Sequence, residues 1–206
     1  MLKSFRGGVH PNDCKNYTAD KPIEVAPLPQ KVIIPTTQHI GAPCVPIVQV
    51  GDLVKKGQKI AEAQAFVASP IHASISGKVV DIADYPHAIF GKCQAIVIES
   101  DGEDKWLEGL PMSRDYRSMS SQEIKDIIKE AGLVGMGGAT FPTHVKLSPP
   151  PDKKIDNFIL NAAECEPYLT ADYRVMMEYT DRVMLGIQIV MKALDVKKGY
   201  IGIEDN

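Results

Sequence analysis

Residues 132–146 constrain this chain more than any other stretch. Gly132-Leu133-Val134-Gly135-Met136-Gly137-Gly138-Ala139-Thr140-Phe141-Pro142-Thr143-His144-Val145-Lys146 packs four glycines into its first seven positions and ends on a lysine. Glycine admits positive φ and lets a backbone lie against a ligand with no Cβ between them. Phosphate groups suit such a loop, because backbone N–H donors and an ammonium can meet their charge. Neither familiar nucleotide template fits. A P-loop ends in Gly-Lys-Ser/Thr, whereas Lys146 stands eight residues beyond Gly138 and precedes Leu147. The dinucleotide fingerprint places Gly-x-Gly-x-x-Gly between a strand and a helix. Here Gly135-Met136-Gly137-Gly138 lacks the third glycine, and a predicted helix comes first. Glycine count alone leaves a ligand loop and a chain-reversing turn both open.

A second segment adds to the first. After the solvent-exposed linker Ser148–Lys154, Ile155–Leu160 reads as a strand and runs directly into Asn161-Ala162-Ala163-Glu164-Cys165-Glu166-Pro167-Tyr168. Two carboxylates and an amide at the carboxyl end of a strand are well placed for ligand contacts in an open α/β sheet. Asn161 offers both a donor and an acceptor, as flavin ring edges and ribose hydroxyls require. The plainer reading is a helix-entry turn, with Pro167, Thr170 and Asp172 starting the next helix.

Together these segments resemble the flavin- and NADH-binding subunit of respiratory complex I and, more closely, the RnfC subunit of the Rnf ion-translocating electron transport complex. Gly135, Gly137, Gly138, Ala139, Phe141, Pro142, Thr143 and Lys146 stand in that family's loop positions. Asn161, Ala162, Glu164, Glu166 and Pro167 stand in its second motif. Ala163 replaces the aspartate usual in the complex I branch, and Met136 replaces its arginine. The opening Phe5-Arg6-Gly7-Gly8-Val9-His10-Pro11, followed by Lys15 and Thr18, is similar to the start of RnfC rather than of its complex I relatives.

Between about residues 30 and 100 the chain alternates short β segments with turns. Lys31–Pro35, Ile47–Val50, Lys59–Ala61, Gly77–Ile82 and Ala95–Glu99 read as strands, with turn signals at Gly51-Asp52, Lys56-Gly57, Ser76-Gly77 and Asp101-Gly102. Regular short strands suggest a sandwich or barrel. The run Val50–Ala61, with Ser69-Pro70 and Ser76–Val79 after it, resembles a biotinyl/lipoyl-type barrel-sandwich hybrid. Such domains carry their cofactor on a lysine in the hairpin between the two halves. Here that hairpin, Ala63–Ala68, has no lysine, so a structural or docking role is expected. Lys55, Lys56 and Lys59 read as a solvated charged turn.

Trp106–Arg117 is a polar linker. Ser120 and Glu123 then form a capping box opening a helix over Gln122–Ala131, with Ile124, Ile127, Ile128 and Ala131 on one face and Gly132 as its stop. Residues 170–194 read as one or two helices, whose Met176, Met177, Met184 and Met191 suit core packing. Gly199–Ile203 reads as another strand. This alternation predicts an α/β layer. The expected fold class is α+β multidomain. A β-rich barrel-sandwich hybrid over 1–112, with an amino-terminal arm, precedes an incomplete Rossmann-like flavin/NADH-binding domain over 113–206. The family also carries further flavin-domain sequence and two four-cysteine iron–sulfur clusters, so the chain reads as an amino-terminal piece.

Composition sets limits. The 206 residues carry a formal charge of −3, which gives no electrostatic case for nucleic acid. No apolar run approaches the ~20 residues that span a bilayer, and the amino terminus shows no signal-peptide pattern. Cys14, Cys44, Cys93 and Cys165 are far apart, with no Cys-x-x-Cys pair, so no metal site is expected and reduced structural thiols are. Cys165 lies between two acids, whose negative charge disfavours a thiolate and argues against a nucleophile. His10, His39, His72, His87 and His144 show no metal-ligand spacing.

The resemblance implies function. NADH would deliver hydride to FMN, and the reduced flavin would pass electrons singly to two [4Fe-4S] clusters beyond this stretch and on to ferredoxin, or the reverse. Gly135, Gly137, Gly138 and Ala139 would admit the flavin closely and Lys146 would offset its charge. Asn161, Glu164 and Glu166 would bind flavin or nicotinamide, with no residue acting as a chemical catalyst. Partners would be the other subunits of a membrane complex, placing the chain peripherally on the cytoplasmic face without direct insertion. A cobalamin reductase-like flavoprotein and a non-catalytic docking module are the alternatives.

Overall fold

The computed structural model of the chain describes Val9 and residues 11–204. Phe5–Gly8 and His10 of the opening motif, with Asp205 and Asn206, lie outside the described residues. The chain forms two compact units: one spans Ala26–Lys154, and the other joins Met1–Val25 to Ile155–Asn206.

In the first unit seven strands build two antiparallel sheets. They are β1 (Lys31–Pro35), β2 (Val45–Pro46), β3 (Leu53–Val54), β4 (Lys59–Glu62), β5 (Ile71–His72), β6 (Gly77–His87) and β7 (Gly91–Ser100). One sheet runs β1-β7-β6-β3 and the other β2-β4-β5. β7 lies between β1 and β6, so Ala95, Ile96, Val97 and Ile98 are buried on both faces of the sheet. Ile34, Val54, Val79, Ile96 and Ile98 of the first sheet share one apolar cluster with Ile60, Ala61 and Ile71 of the second. Each large aliphatic so buried contributes about 1.5–3 kcal/mol relative to exposure. This is the expected barrel-sandwich hybrid.

Two strand expectations change in detail. Ile47–Val50 is not a strand. Pairing stops after Ile47, whose N–H reaches the Ile60 carbonyl at 2.9 Å, and the chain then turns. The Asp52 carboxylate accepts the Gln49 N–H at 2.8 Å, so the Gly51-Asp52 turn signal draws in the residues before it. By contrast, β6 and β7 outrun their apolar cores and form a long hairpin, with a bulge between Val79 and Asp81. The lysines are also not a solvated turn. Lys56 pairs with Asp104 at 2.6 Å and lies over the Trp106 ring, while Lys59 reaches Glu130 at 2.6 Å and Glu62 at 3.4 Å.

That Lys59–Glu130 pair ties the sandwich to helix α1 (Ser121–Glu130). Ser120 accepts the Glu123 N–H while the Glu123 carboxylate accepts the Ser120 N–H, completing the expected capping box. Ile124 and Ile128 are its buried positions. A single helical turn, α2 (Thr143–Lys146), follows.

The second unit pairs β8 (Asn157–Ala162) with β9 (Lys198–Ile203) in parallel, in register from Asn157–Lys198 to Ala162–Ile203. Helices α3 (Ala171–Glu178) and α4 (Thr180–Leu194) connect them, as a βαβ crossover requires. Gly199 admits α4 closely, since a Cβ there would lie 2.7 Å from the Met191 sulfur. The methionine expectation needs correction: Met177 and Met184 are exposed. A two-stranded sheet gives the helices one face to cover, and the opposite helix sides stay in solvent. Among the described residues no helix is long and apolar enough to cross a membrane.

Ser120→Ala removes the side-chain half of the capping box at the entry to α1. It should lower unfolding stability by about 1 kcal/mol, read as a drop of about 2–4 °C in thermal midpoint.

Candidate functional site

The glycine loop begins where α1 stops. The Gly132 N–H reaches the Lys129 carbonyl at 3.0 Å and the Leu133 N–H reaches the Ile128 carbonyl at 3.3 Å, a Schellman pair. Gly132 sits at φ +70°, and a Cβ there would lie 2.5 Å from the Pro70 carbonyl oxygen and 3.0 Å from His72 Nδ1. Only glycine lets the helix end this close to the sandwich.

Beyond it the loop closes on itself. Val134 and Pro142 form an antiparallel bridge, the Gly135 N–H donates to the Phe141 carbonyl at 2.9 Å, and the Thr143 N–H donates to Leu133 at 3.0 Å. The sandwich pins the rest. The Ile40 N–H donates to the Ala139 carbonyl at 3.1 Å, and the Thr140 hydroxyl donates to the Gln38 carbonyl at 2.6 Å. His144 Nε2, buried in α2, donates to the Phe66 carbonyl at 2.9 Å, so the hairpin that carries no lysine is a clasp for the loop.

Between these anchors Gly137, Gly138 and Ala139 are exposed, and Met136 is almost entirely so. Among the described residues the amides of Met136, Gly137, Gly138 and Ala139 meet no acceptor. Lys146 folds back over the loop: a Cβ at Gly135 would lie 3.1 Å from its Nζ. Among the described residues that ammonium has no carboxylate partner. Free amides beside an unpaired cation can receive an anion such as a phosphate.

The candidate residues divide between the units. Gly135, Gly137, Gly138, Ala139 and Lys146 lie in the first; Asn161, Glu164 and Glu166 lie in the second. At the end of β8 the Asn161 Oδ1 accepts the Ala163 N–H at 3.0 Å, leaving its amide nitrogen free among the described residues. Glu164 caps α3: its two oxygens accept the N–H groups of Asp172 at 2.9 Å and Tyr173 at 3.2 Å. Thr170, the expected cap, makes no side-chain capping bond. Glu166 is exposed, and among the described residues its carboxylate has no partner.

Other groups carry no signal in the sequence. His144 is one unclustered histidine among five, and its Nδ1 is buried without a partner. His39, Cys44 and Ser69 form a buried set in which Ser69 N–H and His39 Nε2 are 3.1 Å apart and the Cys44 thiol donates to the Ser69 carbonyl at 3.2 Å. Burial, then the Glu62 charge, pushes the Cys44 thiol pKa up, so it stays protonated. Cys14, Cys44, Cys93 and Cys165 are all free thiols.

Residues 3–103 match the family model described as the RnfC barrel sandwich hybrid domain, and residues 128–206 match the Nuo51 FMN-binding domain. Fold and loop thus define a sandwich hybrid joined to an FMN-binding domain of the complex I type. The chain is 68% identical, over its whole length, to the C subunit of the proton-translocating ferredoxin:NAD(+) oxidoreductase complex of Clostridium ljungdahlii. Over 98% of its length it is 48% identical to the Na(+)-translocating counterpart of Acetobacterium woodii. It is 44% identical over the same share to the C subunit of the ion-translocating oxidoreductase complex of Rhodobacter capsulatus. The chain belongs to this RnfC family. It spans 45%, 46% and 39% of the length of those three relatives.

His72, against the Gly132 turn, offers a pH test. Burial and then the Lys59 ammonium hold its pKa below the ordinary histidine range. The unfolded chain therefore takes up a proton near pH ~6.5 that the folded chain refuses. This contribution is full above pH ~6.5 and is lost as pH falls through the depressed folded value. His72→Gln should flatten the fall in thermal midpoint below about pH 6.5; an unchanged slope would remove His72 as its source.

Proposed function

We propose that this chain is the flavin-holding portion of the RnfC subunit of an ion-translocating NAD:ferredoxin oxidoreductase. In this reading electrons pass between NAD(H) and ferredoxin by way of FMN and two [4Fe-4S] clusters held elsewhere in the subunit. The relatives' names support the reaction, and the FMN-binding domain match supports the cofactor. The observation that carries the proposal is the Met136–Ala139 row of amides that, among the described residues, meet no acceptor, with the Lys146 ammonium, unpaired among them, against neighbouring Gly135.

The residues present fit FMN. The loop amides and Lys146 would meet its phosphate or ring charge, and the free Asn161 amide nitrogen and Glu166 would bind flavin or nicotinamide edges. When bound, FMN supplies the exchange between hydride transfer and single-electron transfer. The chain's own part is to bind, to orient and to keep a positive charge beside the ligand. On this proposal 1–112 is the sandwich module with its arm and 113–206 the flavin module, the sandwich gripping the flavin module's first loop.

The proposal includes attachment through other subunits of a membrane complex, peripheral on its cytoplasmic face, with ferredoxin reached through that complex. The relatives' names differ in the ion translocated, proton in one and Na(+) in another. A docking-only role would leave the free amides and Lys146 without a purpose.

Flavin fluorescence quenching tests this directly. The chain should bind FMN saturably, and Lys146→Ala should weaken binding about ten- to hundredfold, the weight of a charge-assisted contact. Gly137→Val is the sharper probe. A Cβ at Gly137 meets nothing within 4 Å, so the fold itself has room for it. Lost FMN binding with an unchanged thermal midpoint would therefore report the ligand's own approach. No saturable binding by either this chain or the full-length protein would overturn the proposal.

A further inference from the structure

The segment Glu164–Tyr168 is held at both ends by an arm from the other end of the chain. A single 3₁₀ turn, Lys15–Tyr17, lies in that arm. The Lys15 ammonium donates to the backbone carbonyl of Glu164. Four residues on, Tyr168 stands at φ +67°, a conformation that non-glycine residues seldom adopt. Both of its backbone groups are taken by the arm. Its N–H donates to the Asp13 carbonyl at 2.7 Å, and its carbonyl accepts the Thr18 hydroxyl at 3.0 Å. The Tyr168 and Tyr17 rings stack with centroids 6.2 Å apart and planes 13° from parallel.

The arm is itself anchored to α3. Arg174 donates to the Ala19 carbonyl at 3.1 Å, the Ile23 N–H donates to Glu178 at 3.0 Å, and Arg174 and Glu178 pair with each other at 2.8 Å. These contacts join residues about 150 positions apart in sequence. Between the two held ends, Cys165 and Glu166 are exposed. Glu164 is also held through its carboxylate on α3, but beyond it the segment's own bond is weak, the Leu169 N–H reaching the Glu166 carbonyl only at 3.4 Å.

We infer that Lys15 and Thr18 are positioning residues: they clamp Glu164–Tyr168 in the single conformation that presents Glu166, and Asn161 just before it, to the ligand. The inference rests on the flavin reading given above. It gives Lys15 and Thr18, the residues that follow the opening motif, a task that the glycine loop leaves unexplained. A local conformation fixed by a few hydrogen bonds opens at low cost when they are removed, and a ligand then binds only the fraction still competent.

The test uses the whole 206-residue chain, with hydrogen–deuterium exchange over residues 161–170 beside FMN titration. Thr18→Val and Lys15→Met should each speed exchange of the Tyr168 amide about tenfold or more and weaken FMN binding about tenfold. Thr18→Ser and Lys15→Arg keep the donors and should stay close to the unsubstituted chain. Exchange in α4 should not change, which separates a released clamp from a failed fold. Unchanged protection at Tyr168 would overturn the clamp. Lost protection with FMN affinity intact would overturn its positioning role. If neither the unsubstituted chain nor the full-length protein binds FMN, the functional reading falls, while the exchange comparison still decides whether the arm fixes the segment.

Discussion

Backbone amides that meet no acceptor depend on a loop held from outside. A free loop with four unbonded N–H groups would collapse onto its own carbonyls or fluctuate among many conformations. Here the Gly135–Phe141 and Thr143–Leu133 bonds close the base. The Ile40–Ala139, Thr140–Gln38 and His144–Phe66 bonds fasten the sides to the sandwich. The amides at the apex can therefore remain unbonded among the described residues, on an exposed stretch of chain. The sandwich's apolar core matters to the site for this reason: it keeps Gln38, Ile40 and Phe66 in place as fixed acceptors and donors.

The same constraint explains how the sandwich is used. Its relatives in carrier proteins keep a lysine at the hairpin tip, where it must swing freely. Ala63–Ala68 instead gives a backbone carbonyl to a buried histidine, and Ala42 donates to Val67 at 3.0 Å behind it. A tip immobilised by such bonds is unsuited to carry a mobile arm. It is suited to bearing another element, and α2 with Lys146 is that element. Lys59 adds a second tie through Glu130, though an exposed pair of this kind contributes only about 0–1 kcal/mol.

Elements written by local rules were legible in the sequence. The capping box at Ser120 and Glu123 and the Gly132 stop involve residues three to five apart, and both stand as expected. β1 and the central parts of β6 and β7 followed from their β-branched runs, and β4 from a short segment after the Lys56-Gly57 turn signal. Ile47–Val50 misled because its apolar residues mimic a strand, whereas the Asp52 carboxylate turns the chain beneath them. Met177 and Met184 misled because a helical apolar pattern does not say how much sheet there is to cover. At the candidate site the residue types were legible but the free atoms were not. No sequence rule foretells that Thr140 bonds to Gln38, about a hundred positions away, or that Lys15 reaches Glu164.

That difference between residues and atoms decides what the second motif can do. Asn161, Glu164 and Glu166 look alike in sequence as a polar cluster after a strand. Folded, they have unequal capacity. Glu164 gives both carboxylate oxygens to the first amides of α3, where the helix dipole favours a negative charge, and its carbonyl to Lys15. Asn161 gives its oxygen to Ala163 and keeps two N–H donors. Among the described residues Glu166 keeps its whole carboxylate. On the proposed flavin reading the motif would offer a ligand one amide donor and one acceptor carboxylate, with Glu164 acting as the post from which the segment hangs. A polar cluster becomes a site when some of its members bind the protein firmly enough to leave the others pointing at something else.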